Sequence, residues 1–253
     1  MSSMTIRNGL FNSYSHLSSG KRINSAADDA SGLAIAKKMQ RQETGLSVGA
    51  QNAQAGIGVL NVADGALGGV TDYLQRIREL ALKSMNGINS ASDKEIYQNE
   101  INQLKEGIQS IAKDTSLNEQ KLLDGSMADM GLATNPNGGG MKIQMVNSTL
   151  EALGIADFDV TSDNFSLDAI DNALKMVSSQ RSSFGAATNA LEHTFNYNNS
   201  ASLEQLSSRS RLEDLDFPKA ISEKQQKEVM NEYRMMVLRK QMNQKSMITG
   251  MLF

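Results

Sequence analysis

The chain has 253 residues and a formal net charge of −3, which predicts neither a basic face for nucleic acid nor a polybasic membrane patch. It contains no cysteine, so disulfides and thiol chemistry are excluded. No apolar run approaches the roughly 18 residues of a membrane span, and the first residues lack the apolar core of a Sec signal peptide.

Residues 1–16 are polar, with Ile6, Leu10 and Tyr14 on one face of a short predicted helix. A helix of this length is marginal alone in water. This N-terminal arm is therefore expected to be disordered in the free chain and to order when a partner covers it.

The next stretch, residues 17–36, contains a turn followed by a helix start. Gly20 permits a sharp change of direction. Ser25 followed by Asp28 has the spacing of a capping box, and Asp28 and Asp29 place negative charge at a helix N-terminus, where it is stabilising. A helix beginning near Ser25 is the prediction.

Three later segments repeat apolar residues at alternating steps of three and four, which is typical of helices that pack lengthwise. The segments are 57–82, 97–111 and 167–195. We interpret the repeat as an assembly seam formed by Leu60, Leu67, Val70, Leu74, Ile77, Leu104, Ile108, Leu174, Val177, Phe184 and Leu191. Taken alone, the periodicity fits any elongated helical bundle.

A short linker and several glycines indicate how the helices of this bundle pack. The linker 85–91 is brief enough to make the helices on either side antiparallel neighbours, with Ser92 or Asp93 as the second N-cap. Closely packed helices are expected at the glycines of the first seam, namely Gly49, Gly56, Gly58, Gly65, Gly68 and Gly69.

Residues 125–165 lack helical rhythm. Residues 135–140 are predicted to form a turn, and residues 141–146 alternate like a strand with Ile143 and Met145 on one face.

The last segment, 217–253, favours a helix that is charged and rich in methionine. Methionine is common on surfaces that meet more than one partner.

No catalytic, cofactor or metal site is predicted. His16 and His193 are far apart in sequence and have no companion ligand motif. The pair Asp28 and Asp29 is explained by a helix start. Gly65, Gly68 and Gly69 follow no strand, so they form no phosphate loop.

Several strings resemble the signatures of bacterial flagellins, the subunits of the flagellar filament. The resemblance begins with LSSGKRINSAADDASGLAIA at 17–36 and QNAQAGIGVL at 51–60. It continues through LQRIRELA at 74–81, LNEQKLLDG at 117–125, RSSFGA at 181–186 and SRLEDLD at 210–216. The resemblance implies a short flagellin without large outer domains.

The expected fold is mainly α: an elongated rod in which the long N- and C-terminal helices form an antiparallel, coiled-coil-like bundle with a small β-turn or hairpin. Five segments are predicted. They are the N-terminal arm 1–16, the N-terminal rod portion 17–124, the central segment 125–165, the C-terminal rod helix 166–216 and the C-terminal arm 217–253. Both arms are expected to lie inside the filament and to be disordered in the free chain.

The implied function is head-to-tail self-assembly into the extracellular flagellar filament, which drives motility. The implied partners are further copies of the chain, a flagellar export chaperone on the C-terminal arm, and the hook-junction and cap proteins. Export would use the flagellar type III apparatus. The alternative is a flagellin-related hook–filament junction protein, and a secreted enzyme in a flagellin frame is a weaker one.

Two further expectations concern binding by a host receptor and a difference from other flagellins in the terminal arms. Arg76, Leu80 and Glu100 match rod positions that the flagellin-sensing Toll-like receptor contacts in some hosts, and Leu80 lies one residue off the seam, where it could face outward. Alternatively, Leu80 covers the third helix or a neighbouring subunit.

Flagellins usually place more residues before Leu17 and fewer charges in the C-terminal arm, so uneven pairing of the arms is expected.

Overall fold

The computed structural model describes residues 2–162 and 165–251, with side chains described from 11 to 162 and from 165 to 247. Long helices dominate, which confirms the mainly α fold class. The helices are α1 (Ser2–Ser19), α2 (Ala30–Ser84), α3 (Ala91–Asp114), α4 (Asp168–Glu213) and α5 (Phe217–Met251). The described strands are β1 (Ser116–Leu117), β2 (Gln120–Lys121), β3 (Asp129–Leu132) and β4 (Met141–Gln144), which pair as two antiparallel hairpins.

The chain divides into two compact units. The central unit is Thr44–Ser202, and the terminal unit combines Met1–Glu43 with Leu203–Phe253. Each unit draws on both halves of the chain, and the five segments predicted from the sequence stay a prediction. Three of the predicted segments, 1–16, 125–165 and 217–253, contain residues outside the described part of the chain, namely 1, 163–164 and 252–253.

The start of α2 differs from the prediction. Gly20 has a φ of +68°, as its predicted change of direction requires. Asp28, however, closes a turn before the helix by accepting the backbone N–H groups of Asn24 at 3.1 Å and Ser25 at 2.9 Å. Asp29 supplies the cap, since its carboxylate accepts the backbone N–H of Gly32 at 2.8 Å. Ser25 therefore belongs to the preceding turn.

The N-cap of α3 is Ser90, not Ser92 or Asp93. The backbone N–H of Asp93 donates to Ser90 Oγ at 3.2 Å, and the backbone N–H of Ser90 donates to the Asp93 carboxylate at 2.9 Å. This reciprocal pair is a capping box. The hydrogen bonds from Ser90 lower the pKa of the Asp93 carboxyl.

Replacing Ser90 by alanine should lower the stability of the first turn of α3 by about 1 kcal/mol, because an orphan backbone N–H loses its acceptor. Amide hydrogen exchange across residues 91–95 measures the effect. Ser92→Ala is the matched control and should leave this exchange unchanged. Equal fraying in both variants would contradict the assignment of the cap.

The helices α2, α3 and α4 pack around one apolar core in the central unit. The α2–α3 pair is antiparallel, as the short linker predicts, because Arg76 meets Glu100 while Tyr73 packs against Gly107. An added Cβ at Gly107 would lie 2.9 Å from the Tyr73 ring. The small residue therefore lets an aromatic ring lie against the α3 backbone.

The prediction for the α2 glycines is only partly right. An added Cβ at Gly49 would collide with the Thr134 carbonyl, and one at Gly56 would collide with the Leu132 side chain. At Gly69 an added Cβ would lie 3.2 Å from the Ile111 side chain. Gly58, Gly65 and Gly68 face open space instead. Close packing therefore explains the first three glycines and not the last three.

The segment between α3 and α4 is held by side-chain amides of the helices. Asn198 donates to the Thr134 carbonyl at 2.8 Å, Gln180 to the Gln144 carbonyl at 3.1 Å, and Asn52 to the Ala133 carbonyl at 2.7 Å. These bonds satisfy backbone acceptors of the non-helical segment, one of them at the end of β4. The amide side chains therefore fix a non-helical segment to a helical surface.

The predicted local features of this segment are present. The backbone N–H of Asn135 donates to the Gly139 carbonyl at 2.8 Å, which closes the predicted turn. Ile143 and Met145 are both buried, as the alternation at 141–146 predicts. The sequence pattern does not indicate β3, which pairs with β4 in the register Met130 to Ile143.

Candidate functional site

The predicted assembly seam is the internal core of the central unit. Leu60, Leu67, Val70, Leu74, Ile77, Ile108, Val177, Phe184 and Leu191 are buried, and Leu104 and Leu174 are partly buried against them. These side chains are therefore covered within one chain. The seam explains how α2, α3 and α4 pack, but it offers no free apolar surface to a second copy.

Arg76 and Glu100 form a half-exposed ion pair between α2 and α3. Arg76 Nη2 lies 2.7 Å and Nε 2.9 Å from Glu100 Oε1, and Nη1 lies 3.2 Å from Glu79 on the same helix. These hydrogen bonds, first of all those to Glu100, raise the pKa of the Arg76 guanidinium. Two of the three predicted receptor residues are thus brought together at the surface.

Leu80, the third predicted receptor residue, does not face outward. Its side chain is 1% exposed and belongs to the apolar core of the central unit. Of the two alternatives given for Leu80, the outward-facing one is wrong, because Leu80 and Ala81 are both buried, and burial in the core agrees with the other, that it covers another helix. The core extends over both positions, since α3 and α4 cover α2 from two sides.

Two ion pairs join α2 to α4 in the central unit. Arg78 Nε lies 2.7 Å from Asp171 Oδ1, and Arg181 Nε lies 2.9 Å from Asp64 Oδ1. The hydrogen bond from Arg78 lowers the pKa of the Asp171 carboxyl. Nothing in the sequence around Arg181 indicates its partner Asp64, which lies 117 residues away.

The terminal unit pairs α1 with α5 through polar contacts. Tyr14 donates its hydroxyl to Glu228 at 2.9 Å, and the ammonium of Lys224 lies 4.5 Å from the centre of the Tyr14 ring. Lys227 donates to Ser13 Oγ at 3.1 Å. The two predicted arms are therefore helices in contact with each other, while their disorder before assembly stays a prediction.

The carboxyl-terminal part of α5 carries a set of exposed large apolar side chains. Tyr233 is 63% and Met236 is 66% exposed. The others among the described side chains from residue 229 onward are Val229, Met230, Met235, Val237, Leu238, Met242 and Met247. We call these nine residues the α5 apolar surface. Because their positions cover every side of the helix, one neighbouring helix could not cover them all.

A charge network joins the start of α2 to the end of α4 within the terminal unit. Glu213 is buried and lies 3.3 Å from Lys21 Nζ and 3.8 Å from Arg209 Nε. Arg209 Nη1 also lies 2.8 Å from Glu43 Oε2. The alternating charges compensate a carboxylate that would be costly to bury alone. No sequence pattern indicated this network.

The described residues contain no assembled metal site. Among residues 2–162 and 165–251, no group of three His, Asp or Glu side chains is placed to hold a metal ion. His16 and His193 lie in different units. None of the helices in the described chain is long and apolar enough to cross a membrane.

Comparison with known families matches both ends of the chain. The model described as the bacterial flagellin N-terminal helical region matches residues 3–128, and the one described as the C-terminal helical region matches residues 167–251. A flagellin of Halalkalibacterium halodurans is 39% identical over an alignment of 224 positions that covers 85% of this chain and 82% of that relative.

Two solved structures share the fold. Bacillus cereus flagellin superposes with a TM-score of 0.53 at 26% identity, over 58% of this chain and 88% of that one. A putative flagellar hook-associated protein from Vibrio parahaemolyticus reaches 0.60 at 17% identity, over 74% of this chain and all of its own, and shows the fold alone. Together with the matches at both ends, these findings establish that the chain belongs to the bacterial flagellin family.

Proposed function

We propose that this flagellin is a structural subunit that assembles head-to-tail into the extracellular helical filament of the bacterial flagellum. Family membership supports this role, because flagellins are structural proteins of that filament. The observation that carries the proposal in this chain is the α5 apolar surface, which is exposed around the whole helix. No enzymatic reaction is proposed.

The α5 apolar surface favours a polymer over a closed dimer. A helix with apolar residues on every side is normally buried by several neighbours. A single two-fold partner would cover one face and leave the others in water. Repeated heterologous contacts surround a helix and, when the rotation does not close, extend into a fibre.

The α5 apolar surface also supports the proposed partners of the unassembled chain. Exposed apolar surface of this extent favours aggregation unless a protein covers it. A flagellar export chaperone that holds α5 before secretion through the type III apparatus meets this requirement. Contacts with the cap and hook-junction proteins are proposed for the ends of the filament.

The alternative, a hook–filament junction protein, is less well supported. The hook-associated structure shares 17% identity with this chain, whereas a flagellin relative shares 39%. The number of copies in sheared filaments separates the two roles. A bulk subunit is present along the whole fibre, and a junction protein is confined to one end.

Electron microscopy of the purified chain after salt-induced or seeded assembly tests the main proposal. The expected result is helical filaments above a critical concentration. A chain that stays monomeric and fully ordered under all these conditions would contradict head-to-tail assembly. Unmodified flagellin from a filament-forming relative serves as the positive control.

On the same family resemblance, we further propose that a Toll-like receptor recognises this chain in some hosts. The half-exposed Arg76–Glu100 pair supports it, because charged side chains at a protein surface can meet a partner directly. Leu80 lies in the core below, so its contribution would be to hold α2 and α3 in position.

Leu80→Ala should lower the free energy of unfolding of the central unit by about 3 kcal/mol, because a buried leucine is truncated. Glu100→Gln, at a half-exposed ion pair, should leave stability nearly unchanged. Urea unfolding measures both effects, and receptor signalling is measured alongside. If Glu100→Gln and Arg76→Gln leave signalling intact in a responsive host, the receptor patch is wrongly assigned.

A further inference from the structure

The turn between α2 and α3 contains an asparagine followed by a glycine, Asn86–Gly87. Both residues are exposed, and a Cβ added at Gly87 would meet no atom within 4 Å. The side-chain oxygen of Asn86 accepts the backbone N–H of Ile88 at 3.5 Å, which is the pattern of an Asx turn. The side-chain amide of Asn86 is therefore folded over the backbone that follows it.

The backbone nitrogen of Gly87 is available for a reaction with this amide. The described hydrogen bonds of the turn leave the Gly87 N–H without a partner. Asn86 donates its own N–H to the Lys83 carbonyl at 3.1 Å, and its carbonyl accepts the N–H of Asn89 at 3.0 Å. A ring formed between the Asn86 side chain and the nitrogen of Gly87 keeps that N–H and that carbonyl, so both bonds are compatible with ring closure.

A second asparagine–glycine pair, Asn137–Gly138, differs in this respect. It is also exposed and lies in the turn before β4. Its glycine N–H donates to the Asn135 carbonyl at 3.0 Å, and Gly138 has a φ of +85°. The nitrogen of Gly138 can attack only after this hydrogen bond breaks, and the left-handed backbone favours glycine there. Neither constraint applies to Gly87.

We propose that Asn86 is a site of spontaneous deamidation in the folded chain. The nitrogen of Gly87 loses its proton to hydroxide and attacks Cγ of Asn86. An N–Cγ bond forms, the Cγ–Nδ2 bond breaks, and the side-chain nitrogen takes a proton from water and leaves as ammonia. Water then opens the resulting cyclic imide at either carbonyl. The products are aspartate and isoaspartate at position 86, with no change of oxidation state.

Deamidation changes both the charge and the backbone of the turn. Asn86 follows the end of α2 at Ser84, where the helix dipole disfavours a negative charge. Isoaspartate also adds a methylene to the main chain between the N–H and the carbonyl that hold the turn to Lys83 and Asn89. Both changes weaken the turn, and the modified share rises with the age of the chain. This inference concerns the central unit and depends neither on filament assembly nor on order in the two arms.

Mass spectrometry of peptides from the full chain, after storage in mildly alkaline buffer, tests the site. Asn86 should lose its amide about fivefold faster than Asn137, the factor that corresponds to a hydrogen bond of about 1 kcal/mol at Gly138. In concentrated urea, where both glycine N–H groups are free, the two rates should converge. The pair Asn8–Gly9 lies in the N-terminal arm, and its peptide is followed separately.

Gly87→Ala is the matched variant, because the added Cβ has open space around it and should leave the fold unchanged. The same Cβ restricts the backbone and crowds the attacking nitrogen, so the conversion of Asn86 should slow at least about fivefold. The rate at Asn137 should not change. The proposal is wrong if Gly87→Ala converts at the rate of the unmodified chain, or if Asn86 converts no faster than Asn137 in the folded chain.

Discussion

Phe184→Ala is expected to lower the free energy of unfolding of the central unit by about 3 to 5 kcal/mol. The Phe184 ring is 1% exposed and lies in the core that α2, α3 and α4 share. Truncation removes its apolar transfer energy and leaves a cavity that long, continuous helices cannot easily collapse. Urea unfolding followed by hydrogen exchange in residues 44–202 measures the loss.

Met176→Ala is the matched control, because Met176 lies on the same helix and is about half exposed. Its effect should be small, within about 0.5 kcal/mol. If Phe184→Ala is equally mild, the helices of the central unit do not depend on this core. Loss of exchange protection confined to α4 would show that α2 and α3 fold without it.

The heptad pattern predicted this core well. Apolar residues recur at steps of three and four in three segments, with Arg181 and Thr188 as polar interruptions. A helix places such residues on one face, whatever its exact ends. The burial of Leu67, Ile108 and Val177 follows from that regularity. The pattern alone left open whether Leu80 faces outward or covers another helix, since the number of neighbours around a helix is a tertiary property.

The residues at which α2 and α3 begin were predicted less accurately than the core. Ser25 and Asp28 have the spacing of a capping box, and so do Ser90 and Asp93. In the second pair the helix follows directly. In the first, the carboxylate makes the same contacts with its serine, but these close a turn, and Asp29 caps the helix. Spacing identifies the hydrogen bonds, but the backbone conformation after them decides where the helix begins.

Long-range polar contacts could not be predicted from the sequence. Arg181 finds Asp64, and Glu213 is buried between Lys21 and Arg209. Each partner is an ordinary surface residue type whose neighbour is fixed only when two helices align.

The α5 apolar surface leads to the second large expected effect. Replacing Tyr233 and Met236 together by serine should raise the critical concentration for filament formation about a hundredfold. Each side chain loses about 1.5 kcal/mol of burial between subunits, which is about tenfold in an equilibrium constant. Sedimentation of polymer from a dilution series measures the critical concentration.

The control is Tyr233→Phe with Met236→Leu, which keeps apolar surface of similar size at both positions and should polymerise nearly as well as the unmodified chain. Hydrogen exchange in residues 44–202 should be the same in both double variants, since the changes lie in the terminal unit. Polymerisation of the serine variant at an unchanged critical concentration would mean that this part of α5 stays in water inside the filament. The apolar residues around α5 would then need another partner, because copies of the chain would not surround this helix in the filament.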